Sequence, residues 1–275
     1  MLHSHRMQNH LFVAATNNSH KIQEIQEIFH GDILTPREIG IKDFAPLETA
    51  LTFEGNATIK AHALLDRIKE SFHTLCALFP NKTRLLILAD DSGLCVDVLA
   101  GLPGIYSARY ATLCQQGLLQ DSCTNDVKNR EALKRALLHK GFVASQAFFQ
   151  CCIAYIIVEL DSISQDLSQC IQGVTHGTCD GVVAVKECGE YGFGYDSMFY
   201  SEYDKGLFMQ YAVPLDSNDS NPDCMAYGIP IQSSEYFLES LKCSFACLLP
   251  QQKNVISHRF QALLQLRNNI ADFLS

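Results

Sequence analysis

The stretch LFVAATNNSHKIQEIQEIF, residues Leu11 to Phe29, joins an apolar run to a helical pattern through a polar turn. The run LFVAAT is typical of a buried strand, and the following Thr-Asn-Asn-Ser is typical of the turn that ends one. Ile22, Ile25 and Ile28 then recur at helical spacing, so a helix is predicted directly after the turn. This order indicates a fold that packs helices against a sheet.

The same alternation of strand-like and helix-like segments continues along the chain. Apolar runs predict strands at 85–89, 145–160 and 169–188, and helical spacing predicts helices at 52–79, 125–138 and 257–274. Strands and helices that interleave in this way favour an α/β or α+β fold with a mixed sheet.

The segment from Leu207 to Lys242 departs from this alternation. It contains VPLDSNDSNPDC, a cluster of turn-forming residues without periodicity. A segment of about 35 residues is too short to bury a core of its own. We therefore predict one domain over residues 1–275, with 207–242 as an inserted loop or lid within it.

The composition restricts the classes of function. The 275 residues are 47% hydrophobic and 19% charged, which suits a folded domain and excludes disordered and collagen-like chains. The formal net charge of −9 makes polymeric nucleic acid and anionic membranes poor partners, because both require a broad basic surface. A small anionic ligand held at one local site is compatible with this charge.

Targeting and redox features of the sequence favour a cytoplasmic protein. The opening residues lack the apolar core of a signal peptide, and no run approaches the roughly 18 apolar residues of a membrane-spanning helix. The 12 cysteines include no C-x-x-C pair, so reduced thiols are favoured over structural zinc or a disulfide framework.

Two carboxylates, Asp90 and Asp91, follow the strand-like run LLILA and precede Ser92 and Gly93. Adjacent strand residues point to opposite faces of a sheet, so one of the two carboxylates is expected to face a given site. A carboxylate at a strand end can hold Mg²⁺ and deprotonate a water molecule. The alternative is a plain turn, because Asp-Asp-Ser-Gly is also good turn chemistry.

The segment TNNSHK, residues Thr16 to Lys21, suits an anion. Backbone N–H groups at the start of a helix attract negative charge, and the Lys21 ammonium adds a positive one. Ordinary helix capping by Asn18 or Ser19 explains the same pattern equally well.

The segment ETALTFEGNATIKA places Glu48 in a loop before a helix. Phe53, Asn56 and Lys60 fall on one face of that helix. A carboxylate beside Lys and Asn can complete a metal–phosphate site, although a solvated helix face is the more usual cause of such polar residues.

Two later segments suit recognition of a flat ligand. Glycines on both sides of Phe193 free the backbone to bring an aromatic ring against a base, although a glycine-containing strand bulge would look the same. Lys253 and Ser257-His258-Arg259 lie before or at the start of the last predicted helix, where they offer donors to carbonyl or phosphate oxygens.

Read in order, these segments resemble the inosine/xanthosine triphosphate pyrophosphatase family. The resemblance is carried by TNNSHK, ETALTFEGNATIKA, LADDSGLCVDVLAGLPGIYSARYA, YGFGYDSMF and SFACLLPQQKNVISHRFQAL. It implies an α/β fold with a long central mixed sheet flanked by helices, and two lobes with the active site in the cleft between them. It also implies a homodimer that uses Mg²⁺ to hydrolyse ITP, dITP and XTP to the nucleoside monophosphate and pyrophosphate.

The resemblance also implies a role for each matched residue. Asp91 would be the general base and a metal ligand, with Glu48 as the second ligand. The triphosphate would contact Thr16, Asn17, Asn18, Ser19, His20, Lys21 and Ser92. The base would stack on or border Phe193, Gly194, Tyr195 and Asp196. Lys253, His258 and Arg259 would complete the pocket and bind the oxygen at purine position 6.

The chain departs from the family pattern in its phosphate segment, where Asn17 and His20 replace two glycines. Asn tolerates left-handed backbone angles moderately well and His less readily. Ser197 also stands where the family usually has proline. A nucleotide-binding module without catalysis, or an enzyme for other aberrant nucleotides such as modified pyrimidines, therefore remains an alternative.

Overall fold

The computed structural model describes residues 9–29, 32–114, 125–162, 170–215 and 226–274. The strands are β1 His10–Ala14, β2 Arg84–Val96, β3 Phe142–Glu159, β4 Ile171–Ala184, β5 Phe199–Tyr200, β6 Val213–Pro214 and β7 Tyr227–Pro230. The helices are α1 Ser19–Phe29, α2 Phe53–Glu70, α3 Phe72–Leu78, α4 Tyr110–Cys114, α5 Asp126–His139, α6 Lys205–Tyr211, α7 Ser234–Ser240, α8 Pro250–Asn254, α9 His258–Asn269 and α10 Ala271–Leu274.

The strands form one mixed sheet with the order β1-β2-β3-β4-β5, while β7 pairs with both β3 and β6. Strand β1 runs parallel to β2, with His10 opposite Arg84 and Ala14 opposite Leu88. The pairs β3–β7, β4–β5 and β6–β7 are antiparallel. The sequence prediction of an α/β fold with a mixed sheet flanked by helices is confirmed.

The chain divides into two compact units. The first comprises residues 1–91, 151–177 and 258–275, and the second comprises residues 92–150 and 178–257. In the first unit, Ile22, Ile25 and Phe29 of α1 share a buried cluster with Leu263 and Leu266 of α9. The isoleucine spacing of the opening stretch therefore does mark the buried face of a helix.

The second unit contains two further clusters. In one, Phe149, Phe199 and Phe245 contact one another, with ring centroids 4.7 Å apart for the first pair and 4.9 Å apart for Phe199 and Phe245. In the other, Phe208 and Phe237 lie with centroids 5.5 Å apart. Edge-on aromatic pairs of this kind add to the burial of apolar area.

The segment predicted as an insertion, 207–242, thus contributes core residues to the second unit. Phe208 and Phe237 are fully buried, and strand β7 lies within the same segment. Residues 216–225 lie outside the described ranges. The predictions of a single domain and of an insertion stay predictions.

The structure corrects three predicted element boundaries. Strand β2 continues to Val96, so Asp90 and Asp91 lie inside a strand, and both the strand end and the alternative turn at this point are wrong. The helix predicted at 52–79 is two helices that meet at Ser71, whose N–H is bonded to the Arg67 and Ile68 carbonyls. The last predicted helix is likewise divided after Asn269.

Two findings concern membrane-spanning helices and the state of the cysteines. No helix within the described ranges is both long and apolar enough to cross a membrane. The ten cysteines in those ranges are free thiols.

Candidate active site

Asp91 lies in strand β2 against a buried lysine. Lys60 Nζ is 2.7 Å from Asp91 Oδ1 and 2.9 Å from Glu48 Oε1. The same ammonium donates to the Asp90 carbonyl oxygen at 3.2 Å. The second carboxylate oxygen, Asp91 Oδ2, is buried and has no hydrogen-bond partner among the described residues. The described residues therefore leave one acceptor atom of this carboxylate for a ligand.

Helix α2 positions Lys60. Thr52 caps the helix, because its Oγ1 accepts from Gly55 N at 3.0 Å. Asn56 then anchors the preceding loop, since its Oδ1 accepts from Ala50 N at 3.0 Å. Asn56 and Lys60 are buried, so the alternative of a solvated helix face is wrong for these residues.

Burial and the neighbouring charges raise the pKa of both Asp91 and Lys60. Burial raises the pKa of Asp91, and the attraction of Lys60 does not fully offset it. Burial alone would lower the pKa of Lys60, but the charges of Asp91 and Glu48 outweigh it, and the pKa is raised. Lys60 thus stays charged, while Asp91 binds a proton more readily than an exposed aspartate does.

Asp90, the preceding residue, belongs to a separate buried network. Its Oδ2 accepts from Arg259 Nε at 3.0 Å and from Cys151 Sγ at 2.9 Å, and its Oδ1 bonds with Lys21. Arg259 also bonds with Glu24 of helix α1. Burial opposes ionisation, but Arg259 and Lys21 hold the pKa of Asp90 well below its usual range.

The predicted phosphate segment begins helix α1. Asn18 Oδ1 accepts from His20 N at 3.0 Å and from Lys21 N at 3.2 Å, so Asn18 caps the helix as the simpler alternative predicted. Thr16 Oγ1 accepts from Asn18 N at 3.1 Å, and Asn17 Nδ2 donates to the Phe44 carbonyl at 3.2 Å. The predicted phosphate contacts of this segment stay predictions.

In the second unit, the Gly192–Asp196 loop and helix α8 hold Phe193 and Lys253 together. Gly192 and Gly194 have φ of +78° and +62°, left-handed values that suit glycine. Lys253 Nζ lies 2.7 Å from Asp196 Oδ2 and 4.8 Å from the Phe193 ring centroid. Asp196 Oδ2 also accepts from Phe193 N at 2.9 Å. The glycines thus form a loop with a buried ion pair rather than a strand bulge.

The other predicted residues of the site are divided between the two units. Tyr195 is buried and donates its hydroxyl to the Ser107 carbonyl at 2.9 Å. Ser92 follows Asp91 in strand β2 and lies in the second unit. His258 and Arg259 begin helix α9 in the first unit, and both are buried. The roles assigned to these residues stay predictions.

Several contacts of the first unit were not predicted from the sequence. Lys60 was predicted beside Glu48 and Asn56 in a candidate metal–phosphate site, but its contact with Asp91 was not predicted. Glu24 carried a usable signal, because it is a charged residue beside Ile25 on the apolar face of an amphipathic helix. Cys151 lies inside an apolar run, where a cysteine is usually a small buried apolar residue, so its hydrogen bond was not predicted.

Comparison with known proteins gives several matches over most of the chain. A sequence model of the Ham1 family matches residues 12–213. A dITP/XTP pyrophosphatase of Campylobacter jejuni is 35% identical over 196 residues, which cover 71% of this chain and 83% of that protein. A dITP/XTP pyrophosphatase of Haemophilus influenzae is 32% identical over 261 residues, which cover 94% of this chain and 97% of that protein.

Solved structures of Ham1 proteins match the fold of this chain. A HAM1 protein from Coxiella burnetii is 27% identical, with a TM-score of 0.59 over 95% of this chain and 98% of that one. The Staphylococcus aureus Ham1 protein is 28% identical, with a TM-score of 0.58 over the same shares. These matches confirm the family resemblance that the five motifs predicted. The matched sequence model and the two relatives show that this chain belongs to the Ham1 family.

Proposed function

We propose that this protein hydrolyses the non-canonical purine nucleoside triphosphates ITP, dITP and XTP to the nucleoside monophosphate and pyrophosphate. The names of its relatives from Campylobacter jejuni and Haemophilus influenzae, dITP/XTP pyrophosphatase, support this substrate class. Removal of such nucleotides from the pool is the corresponding cellular role.

The observation that carries the proposal is the environment of Asp91. Its Oδ1 is fixed by Lys60, while its buried Oδ2 has no partner among the described residues. A carboxylate held by one oxygen can accept a water proton at the other. The water oxygen then attacks the α-phosphorus, the bond to the β-phosphate oxygen breaks, and pyrophosphate leaves.

The donor atoms fit a divalent cation such as Mg²⁺. Asp91 Oδ2 and the Glu48 carboxylate are hard oxygen donors, and Lys60 touches both side chains. No group of three or more His, Cys, Asp or Glu side chains in the described ranges is placed to hold a metal ion. Mg²⁺ is usually held by one or two carboxylates together with substrate phosphates. When bound, Mg²⁺ would neutralise charge on the phosphate oxygens.

We assign the triphosphate to the segment Thr16–Lys21 and to Ser92. Phosphoryl transfer depends mainly on positioning and on charge neutralisation, and the Lys21 ammonium supplies one positive charge. His258 and Arg259 remain assigned to the pocket by resemblance to the family.

In the second unit, we assign the base to Phe193 and Lys253. The partly buried ring of Phe193 would stack on the purine, and base–aromatic stacking contributes about 1–3 kcal/mol. Lys253 is a donor without acceptor atoms, so it suits the carbonyl oxygen at position 6 of hypoxanthine or xanthine. The amino group of adenine at that position would place a second donor against the Lys253 ammonium, which favours ITP over ATP.

The direct test is pyrophosphate release from ITP, dITP, XTP, ATP and GTP in the presence and absence of Mg²⁺. We expect turnover of the first three to exceed that of ATP and GTP and to require the cation. Equal rates on all five would contradict the proposed specificity. Calorimetric binding of ITP without hydrolysis would instead identify a catalytically inactive module, the alternative that the altered Asn17 and His20 segment raises.

Homodimer formation and a cytoplasmic location complete the proposal. The dimer rests on the family resemblance, and the location rests on the free thiols of the described residues. Light scattering on the purified chain tests the dimer, because it should report twice the 30.6 kDa chain mass.

A further inference from the structure

Three thiols of the second unit lie close together, and none of them belongs to the residues assigned to catalysis or nucleotide binding. The Sγ atoms of Cys188 and Cys247 are 3.3 Å apart and hydrogen bonded. The Cys243 thiol is also hydrogen bonded to Cys247. Cys188 and Cys247 are partly exposed and Cys243 is exposed, so a small oxidant can reach them. The described residues give these thiols no arrangement suited to a metal ion.

The surroundings distinguish the two sulfur atoms of the close pair. In the hydrogen bond between them, Cys247 Sγ donates to Cys188 Sγ, and Cys188 Sγ donates in turn to the Lys242 carbonyl oxygen at 3.3 Å. The hydrogen bond with Cys247, together with burial, raises the pKa of Cys188. The two thiols share one hydrogen bond, so the first of them to lose its proton reacts with an oxidant and the other resolves the product.

The two cysteines lie in segments that already contact each other. Ser244 Oγ donates to the Cys188 carbonyl at 2.5 Å, and Tyr191 N donates to the Ala246 carbonyl at 2.9 Å. A disulfide bond is about 2.05 Å long, so its formation requires a small approach of sulfur atoms that are now 3.3 Å apart.

We propose that Cys188 and Cys247 form a reversible disulfide that links the loop carrying Phe193 and Asp196 to the segment carrying Lys253. The effect on turnover rests on the proposed function, because those residues are assigned to the base. A covalent link fixes two segments that must adjust when a purine enters, so oxidation slows nucleotide turnover.

The chemistry requires a two-electron oxidant such as hydrogen peroxide. The thiolate of one of the two cysteines attacks one peroxide oxygen, the O–O bond breaks, and a sulfenic acid and hydroxide form. The sulfur of the other cysteine then attacks the sulfenic acid sulfur, the S–O bond breaks, and the departing hydroxide takes the proton of the attacking thiol to give water. Two thiols lose two electrons, and one peroxide is reduced to two waters. A dithiol reductant reverses the bond by exchange.

Peptide mapping of the full chain tests the link directly. After peroxide treatment and blocking of free thiols, trypsin should give Glu187–Lys205 joined to Cys243–Lys253, two hydrogen atoms lighter than the sum of the separate peptides. Both Cys243 and Cys247 lie in the second peptide, so fragmentation between them identifies the linked residue. The link should persist in Cys243→Ser and disappear in Cys188→Ser and Cys247→Ser. A link to Cys243, or no link while other thiols oxidise, would overturn the proposal.

The effect on turnover is measured on the same samples. We expect peroxide to lower kcat/KM for ITP at least threefold, dithiothreitol to restore it, and Cys247→Ser to be unaffected. Cys114→Ser, which removes an exposed thiol elsewhere, should behave like the unmodified chain. A mapped link with unchanged turnover would overturn the regulatory part. A reduced protein without ITP hydrolysis would count against the proposed function, while the mapping would still decide the disulfide.

Discussion

Asp90 and Asp91 are consecutive residues of strand β2, yet their carboxylates bond to different cations. Asp90 Oδ2 lies 3.0 Å from Arg259 Nε, and Asp91 Oδ1 lies 2.7 Å from Lys60 Nζ. Successive side chains of a strand point to opposite faces, which gives each carboxylate its own set of partners. We infer a division of roles, in which Asp90 stabilises the first unit and Asp91 performs the chemistry.

Asp90→Asn should therefore destabilise the protein. The substitution leaves the buried Arg259 with a neutral acceptor in place of a carboxylate, and loss of one partner of a buried ion pair costs about 3–5 kcal/mol. Thermal unfolding should show a melting temperature lower by at least about 6 °C, since 1 kcal/mol corresponds to about 2–4 °C in a chain of this size class. Asp91→Asn is the matched variant, because burial raises the pKa of Asp91 whereas Arg259 and Lys21 hold that of Asp90 low, so removal of the Asp91 charge costs the folded protein less. Equal melting temperatures for both variants would contradict the division of roles.

Gly177→Ala should disturb the start of helix α9. A Cβ at this position would overlap the His258 carbonyl oxygen and lie 2.7 Å from Ala262 N, both of which are backbone atoms. Overpacking of this kind costs about 1–3 kcal/mol, and calorimetry should report the loss. Gly206→Ala is the control, because its nearest neighbour is the Asp204 side chain at 3.3 Å and alanine favours a helix. If the Gly177→Ala protein were as stable as the Gly206→Ala protein, the start of helix α9 could move to accommodate the methyl group, and the prediction would be wrong.

The length of β2 shows why the sequence predicts the site only in part. Asp-Asp-Ser-Gly favours a turn locally. The two carboxylates instead form ion pairs with Lys21, Lys60 and Arg259, which come from distant parts of the chain, and the strand continues through them. Tertiary partners override local preference in such cases. The alternation of elements and the isoleucine spacing of α1 depend on local periodicity, and both were predicted correctly.

The partners themselves could not be predicted from spacing. Arg259 and Asp90 are 169 residues apart, and nothing local to either residue indicates the other. Ser71 similarly divides a continuous helical pattern, because its hydroxyl bonds back to the Arg67 carbonyl at 2.8 Å. A serine that bonds to a backbone carbonyl four residues earlier competes with the helix, and this competition depends on the side-chain conformation.

Glu187 gives a pH-dependent contribution to stability in the second unit. Burial opposes its ionisation, but Lys134, Ser197 and Arg130 together lower its pKa below the usual glutamate value of about 4.3. A carboxylate with a lowered folded-state pKa stabilises the protein above its unfolded-state pKa, and this stabilisation is lost as the pH falls through the folded-state value.

Glu187→Gln should accordingly lower the melting temperature at pH 7 by about 2–4 °C, on the basis of about 1 kcal/mol for a partly exposed network. The difference from the unmodified chain should shrink as the pH falls below about 4.3. Thermal unfolding across that range measures it. A difference that grows with acidity would contradict the assigned direction of the pKa.

Phe193→Leu should weaken nucleotide binding without unfolding the protein. The substitution keeps an apolar side chain but removes the ring that would stack on the base, a loss of about 1–3 kcal/mol. The KM for ITP should rise about 5- to 150-fold, with a smaller change in kcat. Tyr191→Leu in the same loop is the control, because its side chain is 53% exposed and has no assigned role. An equal effect of both substitutions would indicate a general disturbance of the loop.

The central claim is that Asp91 is the general base of a pyrophosphate-releasing hydrolase, and one comparison tests it most directly. Pyrophosphate release from ITP in Mg²⁺ is measured for the unmodified chain, for Asp91→Asn and for the exposed control Asp66→Asn, with ITP binding measured by calorimetry on all three. Removal of a general base lowers the rate by about 10²–10⁴-fold. We predict such a loss of kcat for Asp91→Asn, with ITP affinity within about tenfold of the unmodified chain and with Asp66→Asn fully active. Turnover by Asp91→Asn within a few-fold of the unmodified chain would contradict the claim.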